Sequence, residues 1–413
     1  MSYTVSEEAL TSAKIARKKQ TERLLNVALP IVGMKSIEKI RELLSIYNER
    51  IYLWLAKLYD KEYGGFYFSN SARDTEGFLP DIQSTAQAIR MLKSLGLFDE
   101  NVPYELLFPP EITQSIINFF TSRQAPDGYF YHPQWGENIS PERKLYDRRW
   151  ALYMLNAFNI APTVIMPLNN DGVSTEELGF LKNIEAFKKY LSEIDLSKSP
   201  LSVATRLSSI SSHVIQAGQD YVDELKHWLE KWRWLWVWQE NENYDSVNAL
   251  VKICVEYKIM ELIIPYQENI LEASIKRIER ERFTSVMECD NSWKTIKILF
   301  NFMSKHCNGE TVYSLRSRLW RRAPELIDKT RDKVLAFQNV DGTFFYSKSN
   351  RNTAYGAVVG VSGVAEGNIN ATAMASSGTI TNMCYSLGIP KIDIFCNEDG
   401  KIFLDAMKSN QLN

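Results

Sequence analysis

Gln124-Ala125-Pro126-Asp127-Gly128-Tyr129-Phe130 and Gln338-Asn339-Val340-Asp341-Gly342-Thr343-Phe344 are two copies of one device, Gln-x-x-Asp-Gly-x-aromatic. A shorter form, Gly64-Gly65-Phe66, follows Tyr59-Asp60. Each copy comes after an apolar segment of helical character, at 51–58, 116–120 and 334–337. Each leads, after a long loop, to another such segment, at 84–92, 148–157 and 370–383. Helix, glycine–aromatic turn, long loop, helix is a repeating unit, and repetition of this length constrains the fold before residue propensities do. Asp-Gly supplies a residue that accepts positive φ just past a helix end. The aromatic ring can fold back on the apolar helix faces, and the Gln can bond carbonyls left open at a helix end. The turns therefore read as scaffold.

Outward from these turns the chain is helical almost throughout. Apolar spacing predicts a charged amphipathic helix over 6–28, an interruption at 30–34, and a second helix over 36–59. Further helices are predicted over 112–122, 175–191, 202–213, 221–238, 246–258, 265–282, 293–306 and 312–331, with polar bends at 162–174 and 241–244. The 221–238 segment carries Trp228, Trp232, Trp234, Trp236 and Trp238; apolar nearly all round, it reads as a core helix. The longest loop, 346–368, holds Gly356, Gly360, Gly363 and Gly367. It lacks the Gly-Lys-Ser/Thr ending of a phosphate cradle. Helix pairs of this length predict an all-α fold: an (α/α) toroid or barrel of about six helical hairpins with long rim loops. It is expected as a single domain over 1–413, with 1–35 as an N-terminal helical extension.

Composition narrows the function classes. With 48 Lys and Arg against 50 Asp and Glu, the net charge is −2, so no basic field favours nucleic acid. Five scattered Cys with no paired spacing fit a reducing compartment and suggest neither a disulfide framework nor a metal site. The N-terminal twenty residues lack the apolar core of a secretory signal, and no apolar run approaches the ~20 residues that span a bilayer. A cytoplasmic protein is expected, with no cofactor, no membrane partner and a small-molecule or oligosaccharide substrate; its oligomeric state is left open.

The Gln-x-x-Asp-Gly-x-aromatic turns between helices resemble the repeat turns of terpenoid-cyclase and prenyltransferase-like α/α toroids. Similar helix–Gly-Gly-aromatic–helix units occur in six-hairpin glycosidases, sugar epimerases and toroid polysaccharide lyases. The resemblance covers most of the chain as architecture and implies a ring whose loops meet at one rim. The Asp-x-Asp-Asp acid motif of one cyclase class is missing, and no zinc set of the prenyltransferase kind stands out.

The loops carry groups suited to sugars. Arg73, Asp74 and Asp81 lie on the first, and Tyr131, His132 and Trp135 on the second. Asp147, Arg148 and Arg149 open the next helix; Glu366, Asn368 and Asn370 open the last. Glycoside hydrolysis takes two carboxylic acids across the scissile bond. Asp81 and Asp147 are the candidate acids, with a helix N-cap as the competing role for each. His132 is the candidate base: a lyase or epimerase takes the proton α to a uronate carboxylate, which Arg148 or Arg149 would neutralise. Trp135 offers a stacking face, and Arg73, Asp74, Tyr131, Glu366, Asn368 and Asn370 are candidate substrate contacts. The expected function is a carbohydrate-active enzyme working by hydrolysis, elimination or epimerisation, with uronic-acid-containing oligosaccharides among its substrates. A terpene-cyclase-like enzyme with an aromatic cavity and a non-catalytic α/α scaffold are the alternatives.

Overall fold

A computed structural model describes residues 5–164, 179–234, 244–281, 283–347 and 357–409. The chain is mostly helical. Its first half holds α1 (Glu7–Leu44), α2 (Arg50–Lys57), α3 (Asn70–Asp74), α4 (Ile82–Ser94), α5 (Pro110–Thr121), α6 (Pro141–Ala157), α7 (Ile184–Glu193) and α8 (Pro200–Ala217). Its second half holds α9 (Gln219–Lys231), α10 (Tyr244–Ile259), α11 (Gln267–Glu279), α12 (Met287–His306), α13 (Gly309–Leu335), α14 (Ile369–Ala373), α15 (Thr379–Leu387) and α16 (Asn397–Ser409). Among the described residues the only paired strands are β1 (Tyr59–Asp60) and β2 (Gly65–Phe66), an antiparallel ribbon.

The two full-length turns are built alike, bond for bond. Gly128 and Gly342 sit at φ 82° and 83°. The Ala125 N–H donates to Tyr129 O (2.9 Å), as Asn339 does to Thr343 O (2.8 Å). Asp127 Oδ1 accepts from the Tyr129 N–H and Asp341 Oδ1 from the Thr343 N–H, each at 3.0 Å. The backbone then turns back on the preceding helix: Tyr131 N donates to Arg123 O, Phe345 N to Phe337 O and, in the short copy, Tyr67 N to Leu58 O. Phe66, Phe130 and Phe344 are all fully buried. The Gln side chains reach the segments that follow other helices. Gln124 donates to Val164 O and accepts from Val164 N, and Gln338 donates to Ile46 O. Phe66 N donates to Thr85 Oγ1 on α4 and Phe344 N to Thr372 Oγ1 on α14, tying each turn to the helix after its loop.

The expected interruption at 30–34 is there: Gly33 takes φ 78° and ψ 163°, so α1 is two helices joined at a kink. Three helix boundaries depart from expectation. A second break comes at 45–49, before α2, inside the stretch expected as one helix over 36–59. α9 stops at Lys231, so the tryptophan run is not one buried helix: Trp228 is buried, Trp232 is half-buried and Trp234 is exposed. Trp236 and Trp238, most of the 162–174 bend and residues 348–356 of the glycine loop lie outside the described residues. α12 begins at Met287, a turn and a half before the predicted 293. α1 packs on α13 and α16, and its Ala13, Leu25 and Ala28 belong to the common core.

Helix neighbours follow a regular order. α4 packs on α6, α8 on α10, α10 on α12, α12 on α15, and α14 returns to α4. Outside this series α13 packs on α1, α11 and α12, and α16 on α1 and α2. The inner faces of the first series enclose a cavity.

Candidate functional site

The cavity has a volume of about 2120 Å³ and is walled by α4, α6, α8, α10, α12, α14 and α15. Its wall is basic. Among the described residues Arg90, Arg148, Arg149, Arg206, Lys252, Lys294 and Lys297 line it, against one carboxyl group, that of Asp290. Among the described residues, Arg90, Arg149, Lys252, Lys294 and Lys297 form no ion pair. Arg90 lies over the rings of Trp150 and Tyr153, 5.2 Å from each centroid, and Arg149 lies 5.1 Å from Tyr146. Stacking fixes each guanidinium plane and leaves its N–H edge for a ligand. Charge without a partner carries an energetic cost, which an anionic ligand would offset.

Asp290 is the acid of this site, and sequence reasoning passed over it. It stands in the first turn of α12, buried, and Asn382 of α15 donates to its Oδ1 at 2.7 Å. Burial pushes its carboxyl above the ordinary range; Lys294, one turn along, and the Asn382 amide pull the other way. Facing it, residues 374–378 form a π-turn between α14 and α15, and Thr379 Oγ1 donates to Met374 O (2.7 Å) across it. π-turns of this kind recur at functional sites. A Cβ on Gly378 would stand 2.7 Å from Asp290 Oδ1, so only glycine admits the carboxyl there. The sequence signal was present: Asp290 and Lys294 have the i, i+4 spacing of a helix face.

The predicted residues separate into three groups. Trp135, Arg148, Arg149 and Asn370 line the cavity, and the Gln87 amide donates to Asn370 Oδ1 (3.1 Å).

Asp81, His132 and Asp147 come together, but beneath the wall, around Arg143. Arg143 Nη2 is 2.8 Å from Asp147 and 3.8 Å from Asp81, with all three side chains buried. Asp81 is the N-cap of α4, accepting from Ser84 N at 3.0 Å. Asp147 opens no helix: Ser140 caps α6, and Asp147 lies inside it. Its partner is Arg143, one turn back. Burial holds Asp147 up at about 6, with the Asp81 charge adding to it and Arg143 opposing. The expected base, His132, is corrected most plainly. Its Nε2 donates to Pro80 O (2.6 Å), its Nδ1 accepts from Gln134 N (3.1 Å), and its ring stacks on Trp135 at 4.0 Å. Burial, with the charges of Arg123 and Arg143, lowers its pKa to about 3. A neutral imidazole with both nitrogens engaged ties two loops together and takes no substrate proton.

The remaining predicted contacts lie off the cavity wall. Arg73 and Asp74 pair with each other near the surface (2.7 Å). Tyr131 donates to Asp127 (2.7 Å). Glu366 accepts from Ser71 N (2.9 Å) and from the Ser71 hydroxyl, and Asn368 caps α14.

Among the described residues no three His, Cys, Asp or Glu side chains converge as metal ligands, and no helix is long and apolar enough to cross a membrane. Compared with protein-family models, with curated proteins and with solved structures, the chain matches none.

Proposed function

We propose that this protein is an α/α toroid that binds an acidic oligosaccharide in its central cavity and cleaves it by β-elimination. Ring closure is supported by the packing of α8, α10, α12 and α15 in series, by the packing of α14 on α4 and of α4 on α6, and by three turns of one design. The acidic ligand rests on one observation: four cations, Arg90, Arg149, Lys294 and Lys297, face the cavity without an ion-pair partner among the described residues. Trp135, Trp150, Tyr146 and Tyr153 add flat faces for pyranose rings.

Elimination is favoured over hydrolysis because a glycosidase divides its work between two carboxyl groups, and Asp290 alone lines the cavity among the described residues. In elimination the cations neutralise the uronate carboxylate and so acidify the adjacent C–H. Asp290, whose carboxyl burial pushes above the ordinary range, is the acid for the departing oxygen.

A cyclase-like reading has one point in its favour, a single buried acid among aromatic rings. Lys294 and Lys297 weigh against it, because their charges would repel a carbocation.

The test is incubation with uronate-containing, sulfated and neutral oligosaccharides, following the ultraviolet absorbance of an unsaturated sugar end. The expected result is unsaturated product from an acidic glycan, with a loss of ~10²-fold or more in Asp290→Asn. Saturated products alone, or turnover of neutral glycans only, would overturn the reading.

A further inference from the structure

We propose that Lys252 is the base that removes the proton α to the uronate carboxylate, and that the charge of Glu256, buried one turn along α10, tunes its amine. The inference rests on the elimination reading and supplies the group that His132 does not. Lys252 projects from α10 into the cavity, half-buried. Glu256 lies one turn further on the same helix and is fully buried behind the wall. It accepts the Ser211 hydroxyl of α8, and Ser208, also of α8, hydrogen-bonds to it while lining the cavity. A cavity-lining amine and a buried carboxyl thus lie one turn apart on α10, with no direct ion pair between them.

The surroundings favour a neutral amine. α12 contributes Lys294 and Lys297 together with Asp290, α6 contributes Arg149, and α8 contributes Arg206 and His213. Burial first, then the charges of Lys294 and Arg149, bring Lys252 down to about 8, with Glu256 pulling it upward. Burial pushes Glu256 up to about 8 as well. The two groups therefore titrate as a pair near the pH at which a base should operate.

The step balances. The C–H electron pair becomes the new C=C bond, the C–O bond breaks, Lys252 takes the proton and Asp290 protonates the leaving oxygen. Solvent then moves a proton from Lys252 to Asp290, which restores both.

The test has an arm that needs no substrate. Reductive ¹³C-methylation of the lysines, with Lys252→Arg to assign the signal, gives the Lys252 titration by NMR. A midpoint near 8 is expected; one in the ordinary lysine range would overturn the proposal even if the protein eliminates. In Glu256→Gln the midpoint should fall, and the rising limb of kcat/KM against pH should move with it while KM holds. Coincident profiles would remove Glu256 from its role. Lys252→Met should lose ~10²–10⁴-fold in kcat while still binding the glycan, and a variant within threefold of the parent would contradict the assignment. Absence of any unsaturated product from the parent protein would instead overturn the elimination reading, and this proposal with it.

Discussion

Two charged regions lie a few residues apart in this protein and have opposite character. Around Arg143, every ionisable group has a partner: Asp147 and Asp81 face the guanidinium, and His132 spends both nitrogens on backbone. On the cavity wall, the cations Arg90, Arg149, Lys294 and Lys297 have none among the described residues. Polar groups that complete one another fix backbone, whereas polar groups held apart from partners store binding energy for something else. In sequence the two look alike, since both are Arg, Asp and His near loops.

The comparison breaks hardest at Arg143. Arg143→Met leaves two acids buried without their cation and should cost ~3–5 kcal/mol, read as a lower urea midpoint. A change under ~1 kcal/mol would place the cluster among dispensable pairs. Next comes the turn scaffold. Gly64 has φ 72°, and a Cβ there would meet Ser115 O at 2.3 Å. Gly64→Ala should therefore cost at least the ~1–3 kcal/mol of a strained backbone, by the same assay.

His132 gives a pH signature. Its folded pKa, about 3, lies below the ordinary 6.5, so the unfolded chain binds a proton that the native one refuses. Stability from this group is complete above 6.5 and is lost as pH falls from 6.5 toward 3, by up to ~1.4 kcal/mol per pH unit. Asp147, raised from 3.8 to about 6, opposes part of this, since the folded state takes up its proton first. Unfolding of His132→Gln measured across that window should show a flatter acid slope than the parent; an unchanged slope would mean the ring is not held neutral.

The smallest effect has the opposite sign. Lys294→Met, in relieving repulsion from Lys297 one turn away, should raise stability by ~0.2–0.5 kcal/mol while weakening anion binding. A fall in stability would show that Lys294 has a structural partner and belongs with the first region.

Much of the architecture was legible because it is local. Asp-Gly, the buried aromatic and the Gln repeat their bonds in both full copies, and the helical period carries the rest. The site was less so, for a physical reason. Loop position drew attention to Asp81, Asp147 and His132, but the loops fold under the wall and bury them. The groups that face the cavity are mid-helix residues such as Lys252 and Lys294, whose spacing is that of any solvated helix face. Asp290 has a helix-face spacing to Lys294, but it stands out only when α15 and the turn before it bring Asn382 and Gly378 against it from some ninety residues away.

The account rests on the cavity being an anion site, and calorimetry tests this most directly. Oligogalacturonate and a neutral oligosaccharide of equal length are each titrated into the parent protein and into Lys294→Met/Lys297→Met. The account predicts heat from the acidic ligand alone, weakening with added salt and falling at least tenfold in affinity in the double variant. Equal affinity for both ligands, or an acidic ligand indifferent to the two lysines, would contradict it.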